Sequence, residues 1–149
     1  MRTLALFLIF FSVTSFAGIL PSEVRTGLVQ DVLNGFWGNA RDIKGNPIVP
    51  KNDQDRKTVP ISAAVIDQTI NVGEMSGMAE WCGLDRQSNY RSLTSYARKQ
   101  KMTDKQVAFI SVLHGASSQI IISAMKSKTC KKEDKEKIIE LLNETELNW

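Results

Sequence analysis

The stretch TDKQVAFISVLHGASSQIIISAM, residues 103–125, decides the fold class. Thr103 followed three positions later by Gln106 is a capping-box pattern. The Thr hydroxyl accepts from the backbone N–H three residues on, and the Gln side chain reaches back to the first free N–H. From Val107 to Met125 there is no proline, and apolar residues cover most of the helical circumference. This predicts a long central helix, the most buried of the chain. Ser111, His114, Gly115, Ser117, Ser118, Gln119 and Ser123 interrupt the run. The sequence therefore predicts a core helix and no stable membrane insertion, since a span needs roughly 18 apolar residues in succession.

Upstream, Asp85 to Lys101 reads as a helix with Tyr90, Leu93, Ala97 and Tyr96 on its inner side. Before it, Ile61 to Leu84 places Ile66, Ile70, Gly73, Gly77, Trp81 and Leu84 on one narrow seam. A glycine inside a helix costs up to about 1 kcal/mol against alanine. Two of them on the apolar seam predict close approach by another helix backbone, with a helix break near Gly73 as the alternative. Gly83 is expected to cap this helix in the left-handed conformation. The first helix opens at Pro21-Ser22-Glu23, carries Val24, Leu28, Asp31-Val32, Gly35 and Phe36 at helical spacing with Val29 and Leu33 widening the stripe, and ends near Ala40. Downstream, Lys126 to Lys132 is a polar turn, and Glu133 to Leu142 is a last helix with Ile138, Ile139, Leu141 and Leu142 facing in. Trp149 is expected either to dock or to fray with the end of the chain. The sum is an all-α fold, a compact bundle of about five helices.

Residues 1–17 carry Arg2, an apolar run from Leu4 to Phe11, and small residues at Ser15 and Ala17. That is the pattern of a secretory signal peptide cleaved after Ala17. It leaves residues 18–149 as a single helical domain in the periplasm or outside the cell. No cysteine follows the cleavage site, which argues against a lipid anchor. In an oxidising compartment the only two cysteines, Cys82 and Cys130, are expected to pair. Closing a loop of that length stabilises a fold by about 4 kcal/mol in the chain-entropy account. The full chain carries 19 Lys+Arg against 16 Asp+Glu. So mild a bias, without a nucleic-acid motif, excludes nucleic acid as the expected partner.

Residues 41–60 differ in kind from the rest. Pro47, Pro50 and Pro60, a Gly45-Asn46 turn signal and a polar run from Lys51 to Lys57 read as a long polar loop of about twenty residues. Such loops on rigid bodies commonly carry recognition, and the alternative is a disordered surface excursion. Ile48 and Val49 are expected as apolar anchors, with Asp53, Asp55, Arg56 and Lys57 as charged contacts. Asn52 to Asp55 superficially resembles a calcium loop, but the glycine and glutamate it requires are missing. A second basic group, Arg91, Arg98, Lys99, Lys101 and Lys105 with Tyr90 and Tyr96, is either a partner patch or a solvated face.

His114 is the single histidine, so no protein zinc site is expected, and no cofactor. Its chemistry would need a partner, and Glu80 or Glu74 could supply a carboxylate, Glu80 lying beside the apolar seam and next to Trp81. This defines an alternative site between the two long helices, formed by Glu80 and His114. No GxSxG elbow, phosphate loop or HExxH pattern accompanies it.

From Trp81-Cys82 through Phe109-Ile110-Ser111-Val112-Leu113-His114-Gly115 to Thr129-Cys130-Lys131-Lys132, the chain resembles small one-disulfide helical periplasmic proteins. Two groups are similar: the HdeA/HdeB acid-stress chaperones and the type VI amidase-immunity proteins. The resemblance covers roughly residues 81–142. It departs from both in the Trp81-Cys82 dipeptide, in the long segment after Cys82, and in about sixty further residues upstream. It implies an architecture and a compartment, and no individual site residue. The expected function is a non-enzymatic periplasmic protein-binding protein, an immunity protein or a stress chaperone, with another protein as partner; an oligomer is compatible with it. The alternative is a small enzyme or ligand carrier using Glu80 and His114.

Overall fold

A computed structural model describes residues 18–146, with side chains to residue 144. The signal-peptide reading and Trp149 fall outside these residues. Six helices follow in chain order: α1 (Ser22–Phe36), α2 (Asp53–Lys57), α3 (Ala63–Trp81), α4 (Gln87–Lys99), α5 (Asp104–Met125) and α6 (Lys132–Glu146). The sixth, unforeseen in the sequence, is the single turn α2 inside the 41–60 segment. Among the described residues there is no strand, only an isolated bridge between Arg41 and Pro47.

α5 starts as its sequence dictates. Thr103 and Gln106 form the reciprocal capping box, and α5 then packs against α1, α3 and α4. It is central, but it is not the most buried helix. Ten of nineteen residues in α3 are buried, against seven of twenty-two in α5. The reason is position: α3 lies against both α5 and the pair α4 and α6, whereas α5 leaves Val112, Gly115 and Gln119 toward solvent. By length and composition α5 does pass as a membrane span, with mean hydropathy 1.6 over its best window. Its His114, Ser117 and Ser118 are buried within the bundle.

The two seam glycines explain how α3 and α5 come so close. α3 is continuous through both. A Cβ on Gly73 would fall 2.6 Å from the His114 carbonyl oxygen, and one on Gly77 would fall 2.6 Å from that of Ser118. Backbone thus lies on backbone, and a side chain at either position has no room. Ser117 fits there because its hydroxyl turns back onto its own helix, donating to Leu113 O at 2.8 Å. Around this seam Ile70, Leu93, Phe109, Ile110 and Leu113 are fully enclosed, and Phe36 meets Phe109 edge-on at 5.2 Å.

α3 ends where Gly83 takes φ +66°, with Leu84 N–H on Ala79 O and Gly83 N–H on Glu80 O. That cap holds Cys82 beside Cys130. The disulfide forms with a Cα–Cα separation of 5.3 Å and ties the end of α3 to the start of α6. In α6, Ile138 is buried and Leu141 and Leu142 are half-buried. Ile139 departs from the expected inward face. It is 42% exposed, because its neighbour Ile138 takes the one direction that faces α3 and α4.

Candidate functional site

The 37–60 segment is built from its anchors outward. Trp37, directly after α1, packs edge-on against Phe36 and donates its indole N–H to Arg56 O at 3.0 Å. Ile48 turns into the core, and its backbone exchanges hydrogen bonds with Gly38 and Ala40. Between Asp42 and Asn46 the chain makes a tight turn. The Asp42 carboxylate accepts the N–H groups of Lys44 and Asn46, both at 2.8 Å, and the Asn46 amide. These donors hold the Asp42 carboxyl below its usual range, the Asn46 side chain contributing most. Gly45 takes φ +85° there.

The second half is pinned from α5. Asn52 caps α2 by accepting from Asp55 N–H. The Asp55 carboxylate accepts from Lys51 N–H and pairs with Lys105 at 2.7 Å. The Lys105 side chain, then the Lys51 N–H, lowers its pKa. The Lys105 ammonium also stands over the Trp37 ring, 5.7 Å from its centroid. Gln106 donates to Pro60 O at 2.9 Å. A segment that reads as a free polar loop is therefore fastened to α1 and to the first turn of α5.

These contacts redistribute the predicted binding residues. Val49, Asp53, Arg56 and Lys57 are exposed. Ile48 is not an exposed anchor: it is 9% exposed and belongs to the core, because the 38–48 backbone pairing turns it inward. Asp55 spends its carboxylate on Lys105 and Lys51. The exposed apolar residue the sequence reading missed is Ile43, at 77%, with Val49 at 65%. The Asp42-to-Asn46 turn is the signal that could have found it, since a tight turn displays the side chains at its tip.

The alternative site divides. His114 lines a cavity of about 420 Å³ between α4 and α5, together with Arg86, Tyr90, Arg91, Ser111 and Gln119. Its ring lies 4.9 Å from that of Tyr90, whose hydroxyl donates to Ser111 Oγ. The Ser76 hydroxyl donates to Arg86 O, so His114 Nε2 is the donor in its 2.9 Å contact with Ser76 Oγ. Burial, and then the Arg86 charge, lowers the His114 pKa to about 4. The ring is therefore neutral at pH 7 and a weak proton acceptor. Glu80 is not among the lining residues; its carboxylate pairs with Arg86. Among the described residues no group of His, Cys, Asp and Glu side chains could hold a metal ion.

Neither family models nor curated proteins nor solved structures match this chain.

Proposed function

We propose that this is an exported, non-catalytic protein that binds another protein through the 41–60 segment, in the manner of an immunity protein. The observation that carries the reading is the contrast within that segment. Its backbone and its inner side chains are fastened, while Ile43 and Val49 are held out in solvent. A preformed surface loses little conformational entropy on docking, which favours tight binding of one partner. Five Lys and Arg against three Asp between residues 41 and 60 suit a partner with an acidic rim.

The test is point substitution rather than replacement of the whole segment, which would also remove Ile48 and the Asp55–Lys105 pair. With a partner isolated from periplasmic extract, Ile43→Asp and Val49→Asp should each weaken affinity at least about tenfold, a cost of roughly 1.4 kcal/mol. Melting temperature should stay unchanged. Full affinity in the double variant would reject the reading.

The cavity at His114 favours a second reading, a carrier for a small polar ligand. Arg86 and Arg91 at its rim suit an anion, and the neutral imidazole suits a hydrogen-bonding group. Calorimetry with small carboxylates and phosphate esters, comparing the natural chain with Arg91→Ala, would show saturable binding lost in the variant. Absence of any binding at millimolar ligand would remove this reading.

A further inference from the structure

Glu74 sits in the middle of α3 and is completely enclosed. A carboxylate taken wholly out of water is costly unless donors surround it. One donor is Arg25 of α1, at 2.8 Å. The other two are successive main-chain N–H groups: Ile19 to Oε2 at 2.6 Å and Leu20 to Oε1 at 3.1 Å. Arg25 is itself held by Asn71 Oδ1 and Leu20 O. Gly18 runs flush against the same cluster: a Cβ there would lie 1.4 Å from an Arg25 terminal nitrogen and 2.7 Å from Asn71 Oδ1. A buried acid thus accepts from Arg25 and from the backbone of Ile19 and Leu20, the second and third residues after Ala17.

We propose that Glu74 is the receptor for the processed N-terminus of this chain, so that leader removal at Ala17–Gly18 completes the fold. The proposal rests on the reading of residues 1–17 as a leader. Hydrolysis of that bond by a leader peptidase consumes one water. It leaves a carboxylate on Ala17, which departs with the leader, and an ammonium on Gly18. Adjacent backbone nitrogens are about 3 Å apart. The Gly18 nitrogen therefore lies no more than about 6 Å from Glu74 Oε2, within the range where an opposite charge favours the ionised form.

The charges of the cluster point the same way. Arg25 faces two carboxylates, the enclosed Glu74 at 2.8 Å and, on the solvent side, the largely exposed Asp67 at 3.8 Å. An ammonium on Gly18 adds a second cation beside the enclosed Glu74, where solvent screens least. In the precursor the Gly18 nitrogen is a neutral amide, and that attraction is absent. The precursor body is accordingly less stable than the mature one.

The experiment compares two chains made under oxidising conditions, both starting at Gly18, one with a free amine and one acetylated. At pH 6.5 the free-amine chain should melt about 4 °C or more above the acetylated one, a shift readily measured for a domain of this size. A cation stabilised in the folded state contributes fully below its ordinary pKa, near 8, and is lost as pH rises above its folded value. The gap should therefore close by about pH 10. Equal melting at pH 6.5, or a gap unchanged at pH 10, would overturn the proposal. Glu74→Gln in both chains should abolish the gap, and a persistent gap would overturn the assignment to Glu74. Should that variant fail to fold, NMR titration of the Gly18 amine in the unaltered chain reads the same contact. A midpoint above about 8 supports it and one at or below that value overturns it. Intact mass of the exported protein tests the leader separately: a chain starting elsewhere than Gly18 defeats that reading, whatever the melting gap shows.

Discussion

The α3–α5 seam and the 37–60 segment are both ordered, but for opposite reasons. The seam is periodic. Its order comes from many small contacts repeated every turn, with two glycines letting one backbone touch the other. The segment has no period, and a few long-range contacts hold it: Ile48 in the core, the Trp37 indole on Arg56, and Asp55 on Lys105. The lesson is that polar composition does not by itself mean a loose loop. One buried side chain and two or three directed bonds fix a stretch of twenty residues.

That difference predicts different responses to mutation. The largest effects belong to the seam and the layer beside it. Leu113→Ala or Ile110→Ala should lower unfolding free energy by about 2–5 kcal/mol in denaturant titrations, since both are fully enclosed. A loss under about 1 kcal/mol would mean the helices repack easily. Acid should act on the same region through His114. Its folded pKa, about 4, lies below the ordinary 6.5. The unfolded chain therefore binds more protons as pH falls through 6.5, and stability drops until about pH 4. The full loss is of order 3 kcal/mol. His114→Gln should flatten this window relative to the natural chain. An acid-stress chaperone would exploit such a loss, whereas an immunity protein would tolerate it. Dye binding and tryptophan fluorescence from pH 7 to pH 2 separate the two, because only the chaperone should expose apolar surface while still compact.

Gly73→Ala sharpens the comparison further. Helix propensity alone predicts a gain of up to about 1 kcal/mol. The His114 carbonyl, 2.6 Å from the new Cβ, predicts a net loss of about 1–3 kcal/mol instead. A stabilised variant would show that the seam is looser than its geometry. In the segment, the effects should split by residue. Ile48→Ala should cost about 2 kcal/mol. Val49→Asp, Asp53→Ala and Lys57→Ala should stay within about 0.5 kcal/mol, as exposed changes usually do.

Much of the fold was legible because helices announce themselves by period and by caps. The Thr103–Gln106 box, the Gly83 cap and the Gly73–Gly77 approach follow from local spacing, and the Cys82–Cys130 pairing from an even count of two cysteines and the expected compartment. The burial order of α3 and α5 was not legible, because each has three helical neighbours and what differs is the face they leave open, at Val112, Gly115 and Gln119 of α5. α2 and the inward turn of Ile48 were hidden for a related reason. A five-residue helix has no period to read, and a single anchor looks like any other isoleucine. At the candidate site, Val49, Asp53, Arg56 and Lys57 stand exposed as the composition suggested. Ile43 was overlooked because only the Asp42–Asn46 turn shows that its side chain points outward. Glu80 lies beside the seam of α3 and His114 on the facing helix α5, yet Arg86 takes the carboxylate and Ser76 takes the ring.

The central claim is that the 41–60 segment is a preformed surface, fastened before any partner arrives. Residue-resolved amide hydrogen exchange on the free protein tests it most directly. The Gly38 and Ile48 amides, bonded to Ile48 O and Ala40 O, and the Lys51 and Asn46 amides, bonded to carboxylates, should exchange far more slowly than in an unfolded chain. Ile43, at the exposed tip, should exchange fast. Exchange at unfolded-chain rates throughout residues 38–58 would contradict the account.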